Sequence, residues 1–158
     1  EIHWRDGRGQ DIVSSWHPPA LSLPDGTRWG AAGICFTCDG NVVLVKESGN
    51  WVFPGGRPEE DEDWRATLDR EVLEEACASV EEATLLGFAR GECVKGKEEG
   101  LVLVRSLWRV EVSLNPWEPG HETTDRMVVS LDEALAYLNS PHNLWPITQR
   151  WLDEAVAT

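Results

Sequence analysis

The sequence predicts an α/β protein in which helices pack on both faces of a central mixed β-sheet. Strand-like and helix-like segments are interspersed along the 158 residues. They do not follow the regular strand–helix–strand alternation that is typical of a doubly wound parallel sheet. Hydrophobic residues make up 41% of the chain and charged residues 27%, as in a soluble globular protein. We therefore expect an α/β/α sandwich around one mixed sheet.

The first 28 residues differ in composition from the rest. Residues 1–28 are rich in Gly, Pro and Asp and are predicted to form an irregular N-terminal arm with one short strand near Ile12 and Val13. Residues 29–158 have the length and apolar content of a single domain with one core.

A strand pair opens the predicted domain. Residues 29–36 are small and apolar, Asp39-Gly40 suits a tight turn, and residues 41–46 form the return strand. The return strand contains an unbroken run of apolar side chains, which predicts burial on both faces of the sheet.

Helices and further strands follow this pair. Residues 63–77 place apolar side chains at four-residue steps, which predicts a helix with one apolar stripe made of Trp64, Leu68, Val72 and Ala76. A capping box begins at Ser130 and predicts a second helix. The remaining predictions are strands at 83–89, 101–114 and 126–129, a mobile loop at 91–100, and helices at 131–138 and 146–157.

The charge balance restricts the classes of partner. The net charge is −14, from 28 acidic and 14 basic residues, which argues against binding long nucleic acid because that requires a basic surface. A small phosphorylated substrate remains compatible if divalent cations lie between it and the acids. No apolar run approaches the roughly 20 residues of a membrane helix and no signal peptide is visible, so we expect a cytoplasmic protein without membrane contact.

The four cysteines are predicted to be buried, reduced thiols. Cys35 and Cys38 have C-x-x-C spacing, but they end an apolar strand, whereas a thioredoxin-like motif opens a helix. No second cysteine or histidine pair at similar spacing completes a zinc site.

Three carboxylates form the pattern most informative about chemistry. Glu71, Glu74 and Glu75 lie at i, i+3 and i+4, within an arc of about 100° on the predicted helix. Mg²⁺ prefers such oxygen ligands and is commonly shared with substrate phosphates. The alternative interpretation is an acidic solvent-exposed face.

The surrounding residues resemble the Nudix box, G-x5-E-x7-R-E-U-x-E-E-x-G-U with U aliphatic. Gly56, Glu62, Arg70-Glu71-Val72 and Glu74-Glu75 occupy seven fixed positions of that pattern. At its end, Cys77 and Ala78 stand where the family has glycine and an aliphatic residue. That glycine closes the helix, so the substitution bears on local geometry and removes no ligand.

The resemblance implies a role for each matching residue. Glu71, Glu74, Glu75 and the carbonyl of Gly55 would bind Mg²⁺, for which Mn²⁺ can substitute, and Glu71 is also a candidate base. Arg70 would orient a glutamate and Glu62 would be structural. A further acid from a late loop is expected, with Glu122 preferred over Glu118 and Asp125. Candidate substrate contacts are Trp29, Trp51 and Arg57.

The implied activity is hydrolysis of a pyrophosphate linkage. The substrate would be a nucleoside diphosphate linked to another moiety, or a nucleoside triphosphate, and the resemblance is compatible with a homodimer. A non-catalytic sensor that binds a nucleotide without cutting it is the alternative, and an acidic structural domain without metal is a third hypothesis. The sequence leaves the substrate open.

Overall fold

The computed structural model describes residues 1–19, 24–138 and 145–158. Nine strands and three helices lie in these ranges. The strands are β1 (Ile2–Arg5), β2 (Asp11–His17), β3 (Thr27–Phe36), β4 (Val42–Glu47), β5 (Asn50–Val52), β6 (Gly55–Gly56), β7 (Ala78–Lys95), β8 (Val102–Leu114) and β9 (Thr123–Val129). The helices are α1 (Trp64–Ala76), α2 (Leu131–Tyr137) and α3 (Trp145–Ala157).

All nine strands belong to one mixed sheet. Its order is β1-β2-β7-β8-β3-β4-β5, with β6 added to β3 and β9 added to β4. Strands β3 and β8 run parallel, and the other recorded pairs are antiparallel. The predicted mixed sheet is confirmed.

Helices cover both faces of this sheet. Successive residues of β4 point to opposite faces: Val43 and Val45 pack with α1, whereas Val42 and Leu44 pack with α2 and α3. All four side chains are fully buried, which confirms the burial predicted for this strand. The architecture is the expected α/β/α sandwich.

The N-terminal segment departs from the prediction. The short strand expected near Ile12 and Val13 is present as β2, but the irregular conformation expected for the rest of the arm is wrong for residues 2–5, which form β1. Strands β1 and β2 pair with each other, and β2 continues the sheet along β7. The turn-forming composition belongs to the short connection between them, where the Asp6 carboxylate accepts 2.9 Å hydrogen bonds from the N–H groups of Arg8 and Gln10. The partner strand is distant in sequence, so local patterns do not indicate the pairing. A domain boundary at residue 29 stays a prediction.

Strand β7 is longer than predicted. It spans Ala78–Lys95 rather than 83–89, so the mobile loop expected at 91–100 is wrong over its first half. The polar side chains there belong to a strand paired on both edges. Gly100 N–H donates to Cys93 O at 2.8 Å and closes the short connection to β8.

Helix α1 has defined ends. The Asp63 carboxylate caps its start by accepting from Ala66 N–H at 2.8 Å. Cys77 ends it with φ 50° and ψ 49°, a left-handed conformation that glycine adopts without steric cost. The Arg126 guanidinium donates to the carbonyls of Ala76 and Cys77 at 2.9 and 3.1 Å and so satisfies the helix end.

The cysteines are free thiols, as predicted. Cys35 and Cys93 are buried, and burial raises the pKa of the Cys35 thiol. The predicted burial is wrong for Cys38, which is exposed in the turn after β3, and Cys77 is half-buried.

Within the described ranges, no helix is both long enough and apolar enough to cross a membrane.

We expect Cys77→Gly to raise the free energy of unfolding by about 0.5–1 kcal/mol, because a left-handed residue with a Cβ is strained. The two 3.5 Å hydrogen bonds between the Cys77 sulfur and the Glu118 backbone offset little of this gain, because a thiol is a weak donor and a weak acceptor. Urea denaturation measures the change. Cys38→Gly is the matched control, since Cys38 is exposed and is not among the residues with positive φ. Equal destabilisation by both substitutions would contradict the explanation.

Candidate active site

Two glycines bring helix α1 against the sheet. Gly55 and Gly56 pair with Ala32 and Ala31 of β3. A Cβ on Gly56 would lie 2.4 Å from the Glu71 carboxyl carbon, and one on Gly55 would lie 2.6 Å from Ala31 O. Only glycine fits at these two positions. Because glycine has no side chain, the carboxylates of α1 can approach the backbone of β6.

Arg70 links the loop before α1 to the acids on the helix. Its Nε and Nη2 donate to the two Glu62 carboxylate oxygens at 2.7 and 2.9 Å. Its Nη1 donates to Glu71 at 2.6 Å and to Glu74 at 3.2 Å, and Nη2 also reaches Arg57 O at 2.8 Å. A planar guanidinium offers this many donors in fixed directions, so one side chain sets the geometry of three carboxylates.

Glu62 is the strongest partner of this arginine. The Arg70 hydrogen bonds hold the pKa of Glu62 at about 2, and Glu59 N–H adds a 2.7 Å bond to the carboxylate. Glu62 thus joins the loop before α1 to the helix through Arg70. The roles expected for Arg70 and Glu62 stay predictions.

Glu75 is a buried carboxyl group in an acidic surrounding. Only 3% of the residue is exposed, and Gly55 N–H donates to its Oε1 at 2.9 Å. Desolvation raises the pKa of Glu75 to about 8, and the charges of Glu47, Glu71 and Glu122 act in the same direction. Such a group favours a bound cation over an unpaired negative charge.

Glu71 has a similar but milder environment. Burial raises its pKa against the opposing effect of Arg70, and the charges of Glu74 and Glu122 raise it further. Glu74 lies at the open side of the patch, with 31% of its side chain exposed.

Glu47 joins this cluster although the sequence analysis did not single it out. Ligand atoms of Glu47, Glu75 and Glu122 lie within 4.8 Å of one another. The sequence does indicate that Glu47 is the acid at the end of the apolar run that forms β4. The hydrogen-bonding register of β4 brings that end next to β5 and β9. Register between distant strands is not readable from the sequence.

The three candidates for the late acid, Glu118, Glu122 and Asp125, have different neighbours. Glu122 faces Glu71 and Glu75 closely enough to raise the pKa of both. The Glu118 backbone contacts the Cys77 sulfur beyond the helix end, and the Asp125 carboxylate accepts from Arg126 N–H at 2.8 Å. The geometry therefore favours Glu122 over Glu118 and Asp125.

These acids form one wall of a cavity of about 930 Å³. Its lining includes two glycines and the five glutamates described above: Gly55, Gly56, Glu47, Glu71, Glu74, Glu75 and Glu122. Arg57 and Arg105 also line it, so the cavity has both an acidic and a basic side. That arrangement suits metal cations bridging to an anionic ligand.

The three candidate substrate contacts lie in different places. Trp29 and Arg57 line the cavity, with the Arg57 guanidinium 4.1 Å from the Trp29 ring centre. Trp51 does not line it; its neighbours Asn50 and Val52 do. Because side chains alternate along a strand, Trp51 packs on the α2/α3 side instead. The prediction of Trp51 as a substrate contact is therefore not supported by its position.

We expect Glu75→Gln to stabilise the metal-free protein at pH 8. The folded-state pKa of about 8 exceeds the ordinary 4.5, so stability that this group provides below pH 4.5 is lost as pH rises through 8. Glutamine keeps an acceptor for Gly55 N–H without the charge. Urea denaturation in EDTA should give a gain on the order of 1–3 kcal/mol at pH 8 that shrinks towards pH 5. The exposed Glu82→Gln is the control, and an unstabilised Glu75→Gln at pH 8 would refute the assignment.

Comparisons with known proteins agree on one family. Residues 26–153 match the NUDIX domain. Similar solved structures include the Bacillus subtilis pyrophosphohydrolase BsRppH (22% identity, 98% of each chain covered, TM-score 0.65). They also include a NUDIX hydrolase from Nitrosomonas europaea (21% identity, 84% of this chain and 90% of that one, TM-score 0.63). A third is the NUDIX domain of Shewanella oneidensis NrtR complexed with ADP ribose (19% identity, 81% and 88%, TM-score 0.61).

At these identities the solved structures show a shared fold. No curated protein matches the chain. The family match covers most of the sequence, including the glycine pair, α1 and the loop that carries Glu122. The chain therefore belongs to the NUDIX family.

Proposed function

We propose that this protein is a Mg²⁺-dependent pyrophosphohydrolase, with Mn²⁺ able to substitute. Its substrate class is a nucleoside diphosphate linked to another moiety, or a nucleoside triphosphate. The observation that carries the proposal is the convergence of Glu47, Glu75 and Glu122 within 4.8 Å, in a cavity that Glu71 and Glu74 also line.

The metal ligands in this proposal come from three segments. The carboxylates of Glu71, Glu74 and Glu75 are contributed by α1, the carbonyl of Gly55 by β6, and Glu122 by the loop before β9. Glu47 is added as a ligand or as a neighbour that tunes Glu75. When bound, Mg²⁺ would supply charge neutralisation for the diphosphate and a lowered pKa for a bound water.

In this proposal, side chains of the protein accept the proton, position the carboxylates and contact the phosphates. Glu71 lies beside the ligands and has a raised pKa, properties of a carboxylate that can accept a proton from the attacking water. Arg70 acts as a positioning residue, because its bonds go to carboxylates and to a backbone carbonyl. Arg57 and Arg105 face the same cavity and would contact the phosphate oxygens.

The comparisons support the general class. One similar structure is named a pyrophosphohydrolase and another was obtained with ADP ribose. The free thiols agree with a reducing compartment, so we propose the cytoplasm as the location. A homodimer stays a prediction.

The loop acids provide a matched test of the proposal. Turnover is followed on a panel of nucleoside triphosphates and nucleoside diphosphate derivatives with Mg²⁺, by phosphate released after treatment with pyrophosphatase or phosphatase. Glu71→Gln and Glu122→Gln should lower kcat by about 10²–10⁴-fold, because each removes a carboxylate from the metal and water site. Glu118→Gln, from the same loop, should stay within about twofold, since an exposed group away from the site contributes little.

Two results would overturn the hydrolase assignment. One is a folded protein that binds Mg²⁺ but turns over no member of the panel; tight nucleotide binding in that case would indicate the sensor alternative. The other is full activity of Glu71→Gln.

A further inference from the structure

A second cavity of about 710 Å³ lies next to the acid-lined one. Its walls come from the N-terminal strands, from β7 and β8, and from α3, and they include Trp4, Ile12, Leu101, Leu103 and Trp151. Apolar surface predominates in the lining, and charged side chains, among them Asp6, Arg8 and Glu98, also contribute to it. Cavities of this size and chemistry commonly hold the ring system of a small ligand.

The two cavities adjoin at three shared residues. Trp29, Arg57 and Arg105 line both of them. A ligand that extends from the acidic wall into the apolar cavity must therefore pass these two arginines.

The two arginines at this junction are not neutralised by a close ion pair. Neither Arg57 nor Arg105 forms an ion pair with a carboxylate in the described parts of the chain. Desolvation and the nearby charge of Arg57 lower the pKa of Arg105, against the opposing effect of the Glu47 charge. In a chain with twice as many acids as bases, a pair of repelling cations is unfavourable unless an anion joins them. A phosphate group bound between them would remove the repulsion.

Part of the cavity wall is built by a segment outside the family match. That match begins at residue 26, whereas Trp4 and Ile12 belong to β1 and β2. Trp4 is held in place by a 2.9 Å hydrogen bond from its Nε1 to Ser14 Oγ. A fixed indole in a cavity wall is a suitable stacking surface for a flat ring.

We propose that this second cavity binds the nucleobase of the substrate, with Trp4 as a specificity-determining residue and the Arg57–Arg105 pair as the anchor for the adjoining phosphate. The direction of the diphosphate, towards the acid-lined cavity, rests on the proposed function. The N-terminal strands thus form part of the binding site for a free nucleotide, rather than an appendage.

Binding without metal tests this inference separately from turnover. Calorimetric titrations in EDTA compare AMP, GMP, CMP and UMP with ribose 5-phosphate, which lacks a base. At least one nucleotide should bind the wild-type protein about tenfold more tightly than ribose 5-phosphate, the contribution of one stacked ring. Trp4→Ala should reduce that nucleotide to the affinity of ribose 5-phosphate. Arg105→Gln should weaken both ligands.

Two further variants guard against effects on folding. Leu101→Trp enlarges a partly exposed side chain of the cavity wall and should also abolish the preference for a base. Arg5→Gln, on the same strand as Trp4 but outside the cavity lining, should bind nucleotides as the wild-type protein does. Circular dichroism and Tm establish that each variant is folded.

The proposal is overturned if no nucleotide binds more tightly than ribose 5-phosphate. It is also overturned if folded Trp4→Ala and Leu101→Trp both keep the preference for a base. Base-dependent binding by a protein that hydrolyses no diphosphate would sustain this inference and defeat the proposed function. Turnover without base-dependent binding would support the proposed function and overturn this inference.

Discussion

The contact between the Arg70 guanidinium and its acids underlies the geometry of the site. Three carboxylates on one face of α1 repel one another, and each exposed pair costs a few tenths of a kcal/mol. Arg70 bonds to two of them and to both oxygens of Glu62 in the preceding loop. One cation therefore joins the loop to the helix while leaving the third acid, Glu75, free of it. A lysine could not make this set of bonds, because it lacks the planar fork of donors.

Close backbone packing makes the acidic cluster compact. Gly55 and Gly56 leave no room for a Cβ between β3 and α1, so Glu71 and Glu75 reach the sheet directly. Glu75 is consequently buried and accepts its hydrogen bond from the main chain. The pairing of β4 with β5 and β9 brings Glu47 and Glu122 to the same point. A local sequence motif thus becomes a site only through long-range strand pairing.

Because the site depends on long-range strand pairing, only part of it could be predicted from the sequence. The helix, its stripe and the three glutamates follow from spacing within 15 residues, and they were predictable. The late acid could be restricted to three candidates, Glu118, Glu122 and Asp125. The sequence gives the position of each acid along the chain but not the direction in which its side chain points. Glu47 was missed, since only the β4–β5 and β4–β9 registers reveal its neighbours. Strand β1 and the place of β2 in the sheet were missed for a related reason: β2 pairs with β7, far along the chain.

The central claim is that this acidic cluster binds a divalent cation and is not simply an acidic surface. Calorimetric titration of Mn²⁺ into the wild-type protein tests it directly, beside a Glu71→Gln/Glu75→Gln double variant and a Glu81→Gln/Glu82→Gln double variant with the same net charge. We predict saturable binding to the wild-type and control proteins. Affinity should fall by about tenfold or more in the cluster variant, since even outer-sphere partners of a metal contribute that much. Equal binding by both double variants would contradict the claim, because Mn²⁺ would then respond only to net charge.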